Sequence, residues 1–181
     1  MGTTAWLTVN NPGLAQERTK LSSRDQKGWD KTLFLIMLIL PLIWLIVMAL
    51  DACRFHWTYV PFWLHLIGLL LLSASYAILA LVFRENSFLS PVVRLQTDRK
   101  QHVISTGPYA IVRHPMYSAL IPFFIGTSFL LGSWVGVILS FLYLLVLARR
   151  AILEEQTLNN ELEGYSEYMV KVRFRMIPGI W

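Results

Sequence analysis

Charge is scarce in this chain. Of its 181 residues only 15% are Asp, Glu, Lys or Arg, while 55% are hydrophobic. A soluble domain carries about 25% charged residues, so this composition is poorly suited to an ordinary hydrated surface, and so much apolar surface excludes intrinsic disorder. Cysteine is nearly absent: Cys53 stands alone, which excludes a disulfide-stapled scaffold. No His/Cys cluster accompanies it, so no metal site is expected. The sequence also lacks a GxGxxG fingerprint and a phosphate-binding loop, so a Rossmann cofactor domain is not encoded. Internal repeats and low-complexity tracts are missing, and the length suits a single domain, 1–181.

What is present in quantity is uncharged apolar sequence. Thr32–Leu50 runs for 19 residues without a charge, and Pro61–Phe83 for 23 with only His65 as an ionisable group. A membrane-spanning helix needs about 20 apolar residues. Met116–Leu131 and Trp134–Ala148 follow, with 16 and 15 residues, separated by Gly132 and Ser133. Extension through Pro115 at one end and the snorkelling pair Arg149–Arg150 at the other brings these to spanning length. The expected fold is therefore an all-α integral membrane protein of about four transmembrane helices, the last two forming a tight hairpin, with a polar loop and C-terminal helices outside the bilayer. Gly132 and Gly136 have small-xxx-small spacing, read as helix packing. His65, inside the second span, reads equally as a functional intramembrane group or as a residue held by one hydrogen bond to a neighbouring helix.

The net charge of +5 would suit a nucleic-acid binder, but its distribution follows the spans. Fifteen of the 16 Lys and Arg residues fall before the first span, between the second and third, or after the fourth; only Arg54 lies on the other side. The positive-inside rule makes the rich side cytoplasmic, with both termini there. The charge then serves topology and anionic lipid, and no nucleic-acid partner is expected. The first 31 residues are polar and predict no cleavable signal peptide. Asn11-Pro12 opens a short interfacial helix reaching Lys20.

The chemistry-bearing groups gather on the cytoplasmic side. Gly107-Pro108-Tyr109 is a turn signal, and Arg113-His114-Pro115-Met116-Tyr117 follows. Proline belongs in the first turn of a helix, so Pro115 starts the third span and leaves Arg113 and His114 at its positive dipole end. A cation, an imidazole and free backbone N–H groups form a site for a carboxylate or phosphate; the same residues also fit plain positive-inside anchors with Tyr109 and Tyr117 in an aromatic belt. A second cluster, Arg149, Arg150, Glu154 and Glu155, lies beyond the fourth span. Arg150 and Glu154 are four apart on one helix face. They read either as a surface ion pair or as an arginine fork, steadied by a carboxylate, facing an anionic substrate. The fourth helix continues through Leu158 and at most to Glu163, Gly164 caps it, and a short helix spans Tyr165 to about Val172.

From about Leu95 to Trp181 the sequence resembles the isoprenylcysteine carboxyl methyltransferase family of integral membrane enzymes. The residues carrying the resemblance are Gly107-Pro108-Tyr109, Arg113-His114-Pro115-Met116-Tyr117, Glu154-Glu155-Gln156-Thr157-Leu158, Gly164-Tyr165-Ser166-Glu167-Tyr168 and the ending Val172–Trp181. The family's phenylalanine-glycine pair before the last tyrosines stands here as Leu162-Glu163-Gly164. The resemblance implies an S-adenosylmethionine-dependent methyltransferase without a Rossmann fold, releasing S-adenosylhomocysteine, and acting on a lipophilic or prenylated acceptor that enters from the bilayer. It implies cofactor contacts at Gln101, His102, Val103 and Ile104, at Tyr109, and at His114, Pro115, Met116 and Tyr117, with Arg113 beside them. A family glutamine upstream corresponds to Gln96. The family's substrate-side arginine and glutamate fall on Arg150 and Glu154. In this reading residues 1–31 are a cytoplasmic N-terminal segment, 32–83 the first two spans and 84–181 the catalytic half.

Three alternatives share parts of this pattern. A phospholipid N-methyltransferase is a near relative, although some use a GxG element missing here. An NADPH-dependent sterol-type reductase has a tail like Arg173–Trp181 but usually lacks the proline of Arg113-His114-Pro115. A non-catalytic membrane binding protein would keep only the fold.

Overall fold

The structure, a computed structural model, describes residues 26–181; the short helix expected between Asn11 and Lys20 lies outside them. Every regular element among the described residues is helical. Helix α1 (Gly28–Ala49) continues as a π-helical turn, Leu50–Phe55. Helix α2 is Phe62–Glu85, α3 is Pro115–Leu130, α4 is Trp134–Glu161 and α5 is Tyr165–Lys171. Single 3-10 turns at Thr97–Arg99 and Gly107–Ala110 punctuate the polar connection between α2 and α3.

Three helical stretches, Gly28–Phe55, Phe62–Glu85 and Trp134–Glu161, are long and apolar enough to cross a bilayer. The chain is an all-α membrane protein. The expected count of four spans needs a refinement at the third. Helix α3 has 16 residues, about 24 Å at 1.5 Å per residue, against a hydrocarbon core of about 30 Å. It stops where the Ser133 N–H turns back to the Ser128 carbonyl and Gly132 takes φ of 77°. Gly132 is thus a turn residue, needed for its positive φ, and the packing role expected of it with Gly136 falls to Gly136 alone.

The chain forms two compact units. One comprises Leu35–Leu79 and Met116–Arg149. Its helices approach closely through small residues, as lipid-embedded helices do in the absence of a hydrophobic force between them. A Cβ on Gly68 would stand 2.7 Å from the Gly126 carbonyl oxygen, and one on Gly126 2.8 Å from that of Gly68. The Trp44 indole donates to the Gly136 carbonyl at 2.9 Å, and the Ser75 hydroxyl to that of Ala119 at 2.8 Å. Fully buried Asp51 accepts hydrogen bonds from the Thr58 N–H and hydroxyl and from the Ser133 hydroxyl. That carboxylate ties the π-helical end of α1 to the α3–α4 turn.

The other unit gathers the described part of Met1–Phe34 with Ala80–Pro115 and Arg150–Trp181. It holds the start of α1, the polar end of α4, the connection before α3, α5 and the tail. Tyr165, Tyr168 and Val172 form a small core there, with Val103, Leu158, Leu162 and Met169 packed against it. Helix α5 begins one residue after Gly164, at φ of 80°, and runs as the sequence predicts to within a residue of its end.

Candidate functional site

Helix α4 runs for 28 residues, well past its apolar part. On a 3.6-residue helix, positions four apart share a face, and Leu147, Ala151 and Glu155 form a buried stripe. That phase, set by packing, puts Glu155 inside and leaves Glu154 partly exposed.

Glu155 is the hub of a buried ion cluster. Its Oε1 accepts from Arg113 Nε at 2.6 Å and lies 3.3 Å from His114 Nε2, while its Oε2 accepts from Arg175 Nε at 2.7 Å. Desolvation makes a buried carboxylate costly unless cations and hydrogen bonds surround it, and here three basic side chains do so. Arg113 also donates through Nη1 to the carbonyls of Val172 and Arg173. The N–H groups of Arg113 and His114 donate to the carbonyls of Phe174 and Arg175 at 2.9 and 2.8 Å. These N–H groups precede the first turn of α3 and need outside partners. The expectation of free N–H groups for an anion is therefore corrected: the C-terminal tail takes both. The tail is closed on itself by N–H groups of Met176 and Ile177 bonding to the Trp181 carbonyl, and Arg175 lies over the Trp181 ring at 5.2 Å.

Tyr109 is buried beside this cluster's supports. Its hydroxyl accepts from Asn86 Nδ2 at 2.8 Å, and its carbonyl accepts from the Tyr168 hydroxyl at 2.8 Å. Burial pushes the phenols of Tyr109, Tyr165 and Tyr168 well above their ordinary range, so all three stay neutral. Thr106 donates to Glu85, closing the preceding turn.

A cleft of about 450 Å³ opens in the same unit, lined by Leu95, Thr97, Lys100, Gln101, His102 and, from the α4–α5 junction, residues 161–164. Its size falls in the range of small-molecule sites. Gln101 is held by its Oε1, which accepts from the Gln96 N–H at 2.8 Å. His102 stands edge-on to Phe88 at 5.1 Å. Gln96 itself is buried, donating to the Phe88 carbonyl and accepting from Arg99.

Arg150 is buried, and the carboxylate on its Nε is not the one expected. Asp30, 120 residues away on α1, accepts from Arg150 Nε at 3.0 Å, and the Pro91 carbonyl accepts from Nη2 at 2.5 Å. Glu154 instead approaches His114 Nδ1, at 4.0 Å. The residues singled out in the sequence are thus spread over several environments. Gln101 and His102 line the cleft; Val103 packs on the tyrosine core and Ile104 is half-buried. Arg113 and His114 join the Glu155 cluster, and Pro115 is buried at the helix start. Met116 is half-buried and Tyr117 buried, both in the other unit. Sequence reasoning missed Asp30 and Arg175 as site residues, and placed Glu155 in the second cluster without giving it a role. Only Glu155 carried a signal, its four-residue spacing from Ala151 and eight-residue spacing from Leu147.

The family model described as phospholipid methyltransferase matches residues 63–163. This stretch includes Arg113-His114-Pro115-Met116-Tyr117 and Glu154–Leu158, and the match is consistent with the resemblance read from those motifs. No curated protein matches the chain. The matched segment covers more than half of the 181 residues, and the chain belongs to the phospholipid methyltransferase family.

Proposed function

We propose that the protein is an integral membrane methyltransferase moving a methyl group from S-adenosylmethionine to a lipophilic acceptor. The observation that carries this reading is the assembly of the family-matched motifs around Glu155 in the same compact unit as a ligand-sized cleft. The cleft's chemistry fits the cofactor. Lys100 suits its carboxylate, Glu161 and Glu163 suit its amino group and ribose hydroxyls, and Leu95 and Leu162 offer apolar surface to the adenine. When bound, S-adenosylmethionine supplies an electrophilic methyl on a sulfonium. The chain's task is alignment and exclusion of water, from which much of the acceleration in such a displacement derives.

In this reading Gln101 and His102 contact the cofactor directly. Val103, Ile104, Tyr109 and the 113–117 segment shape and brace its surroundings. Arg150 and Glu154 serve the acceptor, with the Arg150 guanidinium set in place by Asp30 and the Pro91 carbonyl. All 181 residues act as one domain whose catalytic half is 84–181, with the site and both termini on the cytoplasmic side; the lysine and arginine distribution supports that orientation.

For the acceptor, an isoprenylcysteine-like carboxylate or a thiolate needs no proton removed before attack. A second reading is favoured by the description of the matched family: the amine of a phospholipid headgroup. An ammonium must first lose a proton, and Glu154, a quarter exposed and 4.0 Å from His114 Nδ1, is suited to receive it. Transfer of labelled methyl groups to a panel of N-acetyl-S-farnesylcysteine, a long-chain thiol and phosphatidylethanolamine tests this. Labelling of the first or second supports the leading acceptor class, labelling of the third the other, and a panel left unlabelled counts against the function.

A further inference from the structure

We propose that Asp30 is the positioning residue of Arg150, fixing its guanidinium where the acceptor is met. This rests on the acceptor role of Arg150 given above. Asp30 precedes the family-matched segment, which begins at residue 63, so the first helix contributes a part of the site that the matched region lacks.

Asp30 is wholly buried. Its Oδ1 accepts from Arg150 Nε at 3.0 Å. Its Oδ2 accepts from the Val93 N–H at 2.8 Å and from Gln26 Nε2 at 2.9 Å. The carboxylate is therefore anchored by two donors that are independent of Arg150, so it is a prearranged receptor for the arginine. Pro91, two residues before Val93, accepts from Arg150 Nη2, and the Lys27 N–H closes onto the Val93 carbonyl at 3.3 Å. One short segment, 91–93, thus holds both the guanidinium and the carboxylate that faces it. Two anchors on one planar group set its plane as well as its place. A lysine has no such plane to set, and an unpaired guanidinium would not be stable in this buried position.

The geometry makes a specific demand on the kinetics. Asp30 acts through Arg150, so its loss should be felt only while Arg150 is there to be misplaced. Displacement of a positioning group by about 1 Å costs on the order of a hundredfold.

The test uses the full chain in lipid nanodiscs, with N-acetyl-S-farnesylcysteine and phosphatidylethanolamine as acceptors. Asp30→Asn, Arg150→Lys and the double variant are compared with wild type. The proposal expects Asp30→Asn to lower kcat/KM for the acceptor by roughly 10- to 100-fold, with S-adenosylmethionine affinity unchanged within twofold. It expects Asp30→Asn to add less than threefold in the Arg150→Lys background. Gln26→Leu, which removes one anchor and keeps the ion pair, covers a failure of Asp30→Asn to fold; it should lower acceptor kcat/KM several-fold with cofactor affinity intact. Additive losses in the double variant, a parallel loss of cofactor affinity, or unaltered acceptor kinetics in Asp30→Asn and Gln26→Leu would each overturn the proposal while leaving the methyltransferase reading in place. Wild-type protein that binds no S-adenosylmethionine and labels neither acceptor removes that reading, and this proposal with it.

Discussion

Arg113 Nε donates to Glu155 Oε1 across 2.6 Å, with both side chains buried and the two residues 42 positions apart in the chain. The contact joins two motifs that are separate in the sequence, one at the start of α3 and the other near the end of α4. Through the same arginine it reaches the tail, whose carbonyls at Val172 and Arg173 accept from Nη1.

Removing Glu155 leaves Arg113 buried without its carboxylate. Breaking a buried pair from one side costs about 3–5 kcal/mol. Glu155→Ala should lower the thermal unfolding midpoint in detergent by many degrees, and Glu155→Gln, which keeps an acceptor oxygen, by less. Equal midpoints for all three proteins would show that the cluster contributes nothing to stability.

The packing of Gly68 against Gly126 gives a second stability prediction. A methyl group on Gly68 would enter backbone at 2.7 Å, where no flexible side chain can move aside. Gly68→Ala should destabilise by about 1–3 kcal/mol through forced helix separation, measured by unfolding in mixed micelles. Gly164→Ala probes a different cost, since a Cβ there meets nothing within 4 Å but the backbone sits at φ of 80°. Its penalty should be about 1 kcal/mol.

The contrast between these residues shows what was legible in the sequence. Uncharged runs reveal spans because burial in lipid imposes composition on every residue of a helix. Pro115 reveals a helix start because its missing N–H suits only the first turn. The Tyr165 helix follows from Gly164. The pairing of Asp30 with Arg150 was not legible: any acidic residue in the polar segments could have met that arginine, and only tertiary packing chose one 120 residues distant. Glu154 and Glu155 differ by one position, about 100° around the helix, and choosing between them required knowing which face of α4 is buried. The occupancy of the Arg113 and His114 N–H groups depended on the path of the tail, which no local periodicity encodes. The short length of α3 was visible as a 16-residue run; the helix takes in Pro115 as expected but ends at Leu130, so the extension adds no length.

The tyrosine cluster predicts an alkaline response. Burial holds the phenols of Tyr109, Tyr165 and Tyr168 protonated in the folded protein. In the unfolded chain they ionise near their ordinary value of about 10. The contribution is intact below that pH; above it the unfolded state releases protons first, so stability falls as pH rises. Phenolate absorbance should therefore show at least three of the seven tyrosines ionising only as the protein unfolds. Smooth ionisation of all seven in the folded state would contradict their burial.

Arg150→Lys separates an acceptor role from a structural one. Lysine keeps the charge and loses the planar fork. Methyl transfer should fall at least a hundredfold, roughly 2.7 kcal/mol, while S-adenosylmethionine affinity stays within twofold. Near-wild-type turnover, or an equal loss of cofactor affinity, would remove Arg150 from the acceptor's side.

The central claim, that this chain transfers a methyl group, is tested most directly by incubating the purified protein in nanodiscs with methyl-labelled S-adenosylmethionine and the lipophilic acceptor panel. The account predicts label in an organic-extractable product, with one S-adenosylhomocysteine formed for each methyl transferred. Folded protein that binds S-adenosylmethionine yet yields neither labelled product nor S-adenosylhomocysteine above the protein-free rate would contradict it.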